Sequence, residues 1–189
     1  MSSTVVLFHH ALGCTPGVDA LADRLRSRGL TVLVPDLYGG ARFDDLEEGV
    51  AHGLAIGFGE LIASGVAAVA DVDSPVVVGI SLGVLPAQCV AQTVPGVRGA
   101  VLISACVPLG EFSDTWPDGV ALEVHAASSD PIFDVDGDAE AAAQITAVAL
   151  GSRLVRHAGG GHLFVEAGHA DEDEAATLAV VEAVVAMAS

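Results

Sequence analysis

The chain has 189 residues, 52% of them hydrophobic, and carries 25 acidic side chains against seven arginines and no lysine, a formal charge of -18. That length and composition suit one domain with a sizeable core, and the acidity excludes nucleic acid and the anionic inner leaflet of a membrane as partners. No apolar run approaches a membrane span, and the N-terminus enters a strand pattern at once with no basic segment or small-residue cleavage site, so a soluble, cytoplasmic protein is expected.

In chain order, Thr4 to His9 reads as a buried strand, and Val18 to Arg28 as a helix with Val18, Leu21, Ala22 and Leu25 at helical spacing. Thr31 to Val34 is a second strand, ended by Pro35-Asp36. Asp44 to about Ala70 reads as helix with glycine interruptions at Gly57, Gly59 and Gly65. Val76 to Val78 is a third strand, followed by a helix from Leu82 to Val94 in which Pro86 falls near the first turn. Gly99 to Ser104 and Ala121 to Ala126 are further strands joined by the stretch Cys106 to Gly119, and Asp138 to Leu150 is an alanine-rich helix. Leu154 to His157 is the last strand. Gly159-Gly160-Gly161 follows, then a helix from about Asp171 to Met187, whose acidic start suits the positive end of the helix dipole. Strands that alternate with helices predict an α/β fold over residues 1–189, a mostly parallel sheet covered on both faces, with no large cap domain.

The chemistry-bearing segment is Gly79-Ile80-Ser81-Leu82-Gly83, set between an apolar strand and a helix. A G-x-S-x-G string is common by itself; at a strand-to-helix junction it forms a sharp turn that exposes the serine hydroxyl. Residues that do chemistry in parallel sheets gather at the carboxyl ends of strands. Ser81, Asp130 and His162 all lie just past predicted strand ends, in the order serine, acid, histidine. His162 would take and return the serine proton, and Asp130 would orient the imidazole. The Leu82 N–H and one near Ala11 would stabilise an oxyanion. Asp130-Pro131 also reads as a plain turn, and His157 is the alternative histidine.

Metal sites find little support. Cys14, Cys89 and Cys106 lack ligand spacing and read as small buried residues, with Cys14 in a loop near the site. Asp134, Asp136 and Asp138 miss the calcium-loop pattern. His9 and His10, as neighbours in a strand, point to opposite faces. No metal or other cofactor is therefore expected.

These segments resemble the dienelactone hydrolase family of α/β-hydrolases over nearly the whole chain. The resemblance lies in Val5 to Gly13, Ala22-Asp23-Arg24-Leu25, Pro35-Asp36-Leu37-Tyr38-Gly39, the Ser81 elbow, Ser129-Asp130-Pro131 and Gly160-Gly161-His162-Leu163-Phe164. Three positions depart from the family pattern. Ser81 stands where the founding enzymes look to a cysteine, His10 at the place of a glutamate, and Glu166 at the place of an arginine that receives the substrate carboxylate. The resemblance thus implies hydrolysis of esters or lactones, and Glu166 argues against an anionic lactone.

The expectation is a small-molecule serine esterase or lactonase working through an acyl-enzyme. A thioesterase or acyltransferase with the same three residues, and a binding protein on the hydrolase fold, are the alternatives. The pocket is expected under the loops Leu37 to Phe43 and Cys106 to Trp116, with His10, Tyr38, Phe43, Cys106, Phe112 and Trp116 as lining candidates; the aromatic ones serve equally as packing under long loops. Nothing in the pattern specifies an oligomeric state.

Overall fold

In the computed structural model, which describes residues 3–189, six strands form one sheet. They are β1 (Thr4–Phe8), β2 (Thr31–Leu33), β3 (Val76–Ile80), β4 (Gly99–Ile103), β5 (Ala121–Ala127) and β6 (Arg153–His157), in the order β2-β1-β3-β4-β5-β6. Every neighbouring pair is parallel. The chain runs outward from β1 to β2, then crosses back to place β3 on the other side of β1. That reversal opens a crevice at the carboxyl ends of β1 and β3, where open α/β sheets bind their ligands.

Alternating strand residues build two cores. Val5, Leu7, Val76, Val78, Val101 and Ile103 face the helices α1 (Pro16–Ser27) and α7 (Glu174–Ala188), against Leu21, Leu25, Val180 and Val184. Val6, Phe8, Val77, Ala100, Leu102 and Val124 face the other way, against Leu61, Ala87, Val90 and Ile145. These last come from α3 (Phe58–Ala68), α4 (Val84–Thr93) and α6 (Asp138–Val148). Burying each such leucine or isoleucine contributes about 1.5–3 kcal/mol. The continuous apolar strands are thus a consequence of two covered faces.

Caps place the helices. Thr15 accepts the Val18 N–H at the start of α1 with Pro16 in the first turn, and Asp173 accepts the Ala176 N–H at the start of α7. The acidic run therefore lies mostly ahead of α7 and does more than meet a helix dipole. Asp171 accepts the Leu163 N–H at 3.1 Å through its carboxylate and the Gly161 N–H at 3.2 Å through its carbonyl, so it holds the loop that carries His162.

Two elements differ from the sequence reading. The long helix expected from Asp44 to Ala70 is two helices, α2 (Leu46–Ile56) and α3, bent by 83°. Gly57 makes the corner at φ 96°, a conformation that costs little only for glycine. Among the described residues no single helix is long and apolar enough to cross a membrane, although this bent pair passes by length and composition. The other difference is a five-residue helix, α5 (Pro131–Val135), too short to show a period in the sequence.

Candidate active site

Ser81 follows β3 directly and holds a left-handed backbone at φ 50°, strained for a serine. The flanking glycines make the turn possible. A Cβ on Gly79 would overlap the Gly83 carbonyl, and one on Gly83 would overlap the carbonyls of Phe8 and His9 at the end of β1. The elbow is thereby pressed against the loop that contains Ala11, itself fully buried with its carbonyl against Gly49.

Ser81 Oγ lies 2.8 Å from His162 Nε2, and His162 Nδ1 lies 2.9 Å from Asp130 Oδ2. A carboxylate can only accept, so Nδ1 carries the proton and Nε2 is left to accept from the Ser81 hydroxyl. Asp130 is completely buried. Its second oxygen, Oδ1, accepts the N–H groups of Ile132 and Phe133 at 3.0 and 3.3 Å, capping α5. The Asp-Pro pair is thus both a helix start and a fixed carboxylate, because capping locks the side chain with its other oxygen toward His162. Ser129 Oγ donates to the Gly160 carbonyl at 2.6 Å, joining the loop after β5 to the loop after β6.

His157, the alternative histidine, is turned away. Its Nε2 sits 3.0 Å from His125 Nδ1, and its ring lies against Phe164. Burial and the neighbouring His125 lower its pKa.

A cavity of about 340 Å³ opens beside Ser81 and His162, walled by Val50, Phe58, Leu82, Val84, Leu85, Ala105, Val107 and Ile132, with Ser104, Asp136 and Asp138 as its polar members. None of the six expected lining residues is among them, for reasons that differ from one segment to another. Tyr38 donates its hydroxyl to the Gly49 carbonyl at 2.9 Å and packs edge-on against His9, Phe43 and His52; Tyr38 and Phe43 therefore serve a cluster beneath α2. His10 is buried against Glu166. Cys106 turns its thiol to Gln88, and burial, with Asp138 nearby, pushes that thiol up to about 12. Trp116 donates its indole N–H to the Val120 carbonyl at 2.8 Å, just before β5 begins. The stretch from Cys106 to Gly119 must travel from the carboxyl end of β4 to the amino end of β5. Phe112 and Trp116 are carried away from Ser81 along this path.

Sequence reasoning missed three features. Ser104 follows β4 in the register next to Ser81, since Ile103 pairs with Ile80. It shares the left-handed backbone at φ 60°, and its buried hydroxyl has no hydrogen-bond partner among the described residues. Its place just past a strand end, like that of Ser81, is the signal the sequence carries. Asp138 reaches the cavity while accepting the Cys106 N–H at 2.7 Å; burial raises its pKa against the pull of that N–H and of His162. Val50 and Phe58 arrive only because α2 and α3 bend over the site.

His9, Cys14 and Asp36 bring three ligand-type atoms within 4.8 Å of one another, a grouping that joins three segments and has no linear spacing. Both His9 nitrogens are engaged, Nδ1 with the His10 carbonyl at 2.7 Å and Nε2 with the Leu37 N–H at 3.0 Å. Burial, then Asp36 and Asp19, push the Cys14 thiol up to about 11. A metal there would have to displace the Leu37 N–H and take a proton from a reluctant thiol.

No curated protein matches the chain, whereas solved structures do. A dienelactone hydrolase-like promiscuous phosphotriesterase from metagenomic libraries superposes with a TM-score of 0.75 at 18% identity, over 98% of this chain and 84% of that one. A dienelactone hydrolase from Anabaena variabilis gives 0.68 at 19% identity over 98% and 85%. Esterase PE8 gives 0.67 at 16% identity over 98% and 93%. These likenesses show the α/β-hydrolase fold. The model of the dienelactone hydrolase family matches residues 2–188, and the chain belongs to that family of α/β-fold hydrolases.

Proposed function

We propose that the protein is a serine hydrolase that cleaves uncharged carboxylic esters or lactones through an acyl-enzyme on Ser81. The observation that carries this reading is the continuous hydrogen-bond chain from Ser81 Oγ through His162 to Asp130, at 2.8 and 2.9 Å. A serine hydroxyl is a weak nucleophile until an imidazole removes its proton during attack, a contribution of about 10²–10⁴-fold. His162 Nε2 takes that proton, then returns it to the leaving alkoxide as the acyl-oxygen bond breaks. In the second half, His162 draws a proton from water, the hydroxide equivalent attacks the acyl carbon, and Ser81 leaves with its proton restored. Asp130 keeps the Nδ1–H and balances the transient imidazolium. The Leu82 and Ala11 N–H groups serve the oxyanion. Acyl transfer through a serine needs no cofactor.

The cavity supports an uncharged, largely apolar substrate: aliphatic and aromatic walls surround Ser81, and the charged members, Asp136 and Asp138, are both carboxylates. The acidity facing a substrate comes from these two. Glu166, expected to repel an anionic lactone, lies outside this cavity and accepts a hydrogen bond from His10.

Treatment with a fluorophosphonate tests the reading. Intact mass should rise by one adduct, hydrolysis of a chromogenic ester should stop, and both effects should vanish in Ser81→Ala. A folded wild type that neither labels nor hydrolyses any oxygen ester or thioester would overturn it. An acyl-length series then measures the cavity.

A further inference from the structure

We infer that His10 and Glu166 form a clasp that positions the Ala11 N–H and ties the loop after β1 to the loop bearing His162; its catalytic consequence rests on the acyl-transfer reading of Ser81.

His10 is fully buried, and both of its nitrogens are committed. Nδ1 accepts the Leu12 N–H at 3.2 Å, and Nε2 lies 2.8 Å from Glu166 Oε2. With Nδ1 accepting, the ring proton is on Nε2 and is donated to the carboxylate. Because the ring receives an N–H two residues ahead of its own backbone, it folds the chain back around Ala11. The Gly13 N–H closes the same turn on the His10 carbonyl at 3.0 Å. Ala11 sits at the apex, pressed on Gly49, in the loop whose preceding carbonyls rest on Gly83 of the elbow.

Glu166 is anchored equally firmly. Its N–H donates to the Leu163 carbonyl at 2.8 Å, one residue past His162. Gly17, at the start of α1, leaves no room for a Cβ beside the carboxylate. Burial alone would push the Glu166 carboxyl up; hydrogen bonds from His10, Thr15 and the Gly17 N–H hold it below its ordinary value. One carboxylate therefore gathers the loop after β1, the start of α1 and the loop after β6. A displaced oxyanion donor lowers the rate of the chemical step without changing ground-state binding.

The test measures kcat, KM and inhibition by a boronic acid, which forms a tetrahedral adduct on Ser81, in three variants. His10→Gln can still turn an amide N–H toward Glu166, but with its amide so placed it has no acceptor at the Nδ1 position that takes the Leu12 N–H. It should lower kcat by about 10- to 100-fold, as misplacements near 1 Å do, with KM nearly unchanged and boronic-acid affinity falling in parallel. Glu166→Gln still accepts from Nε2–H and should keep kcat within about threefold, whereas Glu166→Ala should fall with His10→Gln. A folded His10→Gln with wild-type kcat, a loss confined to KM, or equal effects of Glu166→Ala and Glu166→Gln would overturn the clasp. If His10→Gln does not fold, the Glu166 pair decides alone. A wild type inert to fluorophosphonate and to esters would instead sink the hydrolase reading beneath it.

Discussion

Two connections leave neighbouring strand ends and have opposite fates. After β3 the chain turns within Ser81–Gly83 and starts α4 at once, so its polar side chain stays at the rim. After β4 the stretch from Cys106 to Gly119 descends past α4, held by Gln88 to the Val107 carbonyl and by Gln92 to the carbonyls of Leu109 and Ser113. Trp116 finishes near the start of β5. In a parallel sheet every connection must return to the amino ends, and a side chain's distance along it decides whether it can face the site. Aromatic character on a long loop is therefore a weak guide to a pocket.

The largest expected effect is on the partner that Ser81 reaches through His162. Asp130→Asn keeps an oxygen to cap α5 but presents an amide to His162, which disrupts the tautomer; kcat should drop by about 10⁴-fold with little change in melting temperature. Equal loss of stability and activity would show that Asp130 is mainly a cap. Next in size, Gly83→Ala forces a methyl into the Phe8 and His9 carbonyls. A loss of about 1–3 kcal/mol is expected, read as a melting shift of about 2–4 °C per kcal/mol for a chain of this size.

On the long side, Trp116→Phe removes the hydrogen bond to Val120 and should cost about 1 kcal/mol while leaving kcat/KM unchanged. Phe58→Ala, on the cavity wall, should raise KM for longer acyl chains with a small stability effect, since Phe58 is 40% exposed. A Trp116 effect on acyl-length selectivity would reverse the assignment of the two loops.

The smallest effect is a pH dependence. The Glu166 carboxyl is held below its ordinary value of 4.5 in the fold, so its stabilisation is complete above that value and lost as pH falls through the lower, folded one. Urea unfolding at successive acid pH values should therefore show a shallower stability loss for Glu166→Gln than for wild type.

Much of the site was legible because its parts are locally coded. Gly79 and Gly83 are needed where the backbone doubles against β1, and a serine between them at a strand end is a local pattern. Asp130 and His162 followed from one topological rule, and the structure brings both within hydrogen-bonding distance of their neighbours. The bend at Gly57 was visible only as an interruption, because glycine permits a left-handed corner without requiring one. His10 and Glu166, 156 positions apart, looked like two unrelated departures from a family pattern and are one contact.

Period, punctuation and chain order in the sequence were enough to determine the α/β alternation, the parallel pairing and the turn at Ser81, since these depend on backbone sterics and on which face of a short segment is apolar. Tertiary structure decided which side chains wall the cavity, that α2 and α3 fold over it, and that a carboxylate from the loop after β6 reaches the imidazole at the end of β1. Such pairings depend on the path each connection takes across the sheet, and packing of distant segments sets that path.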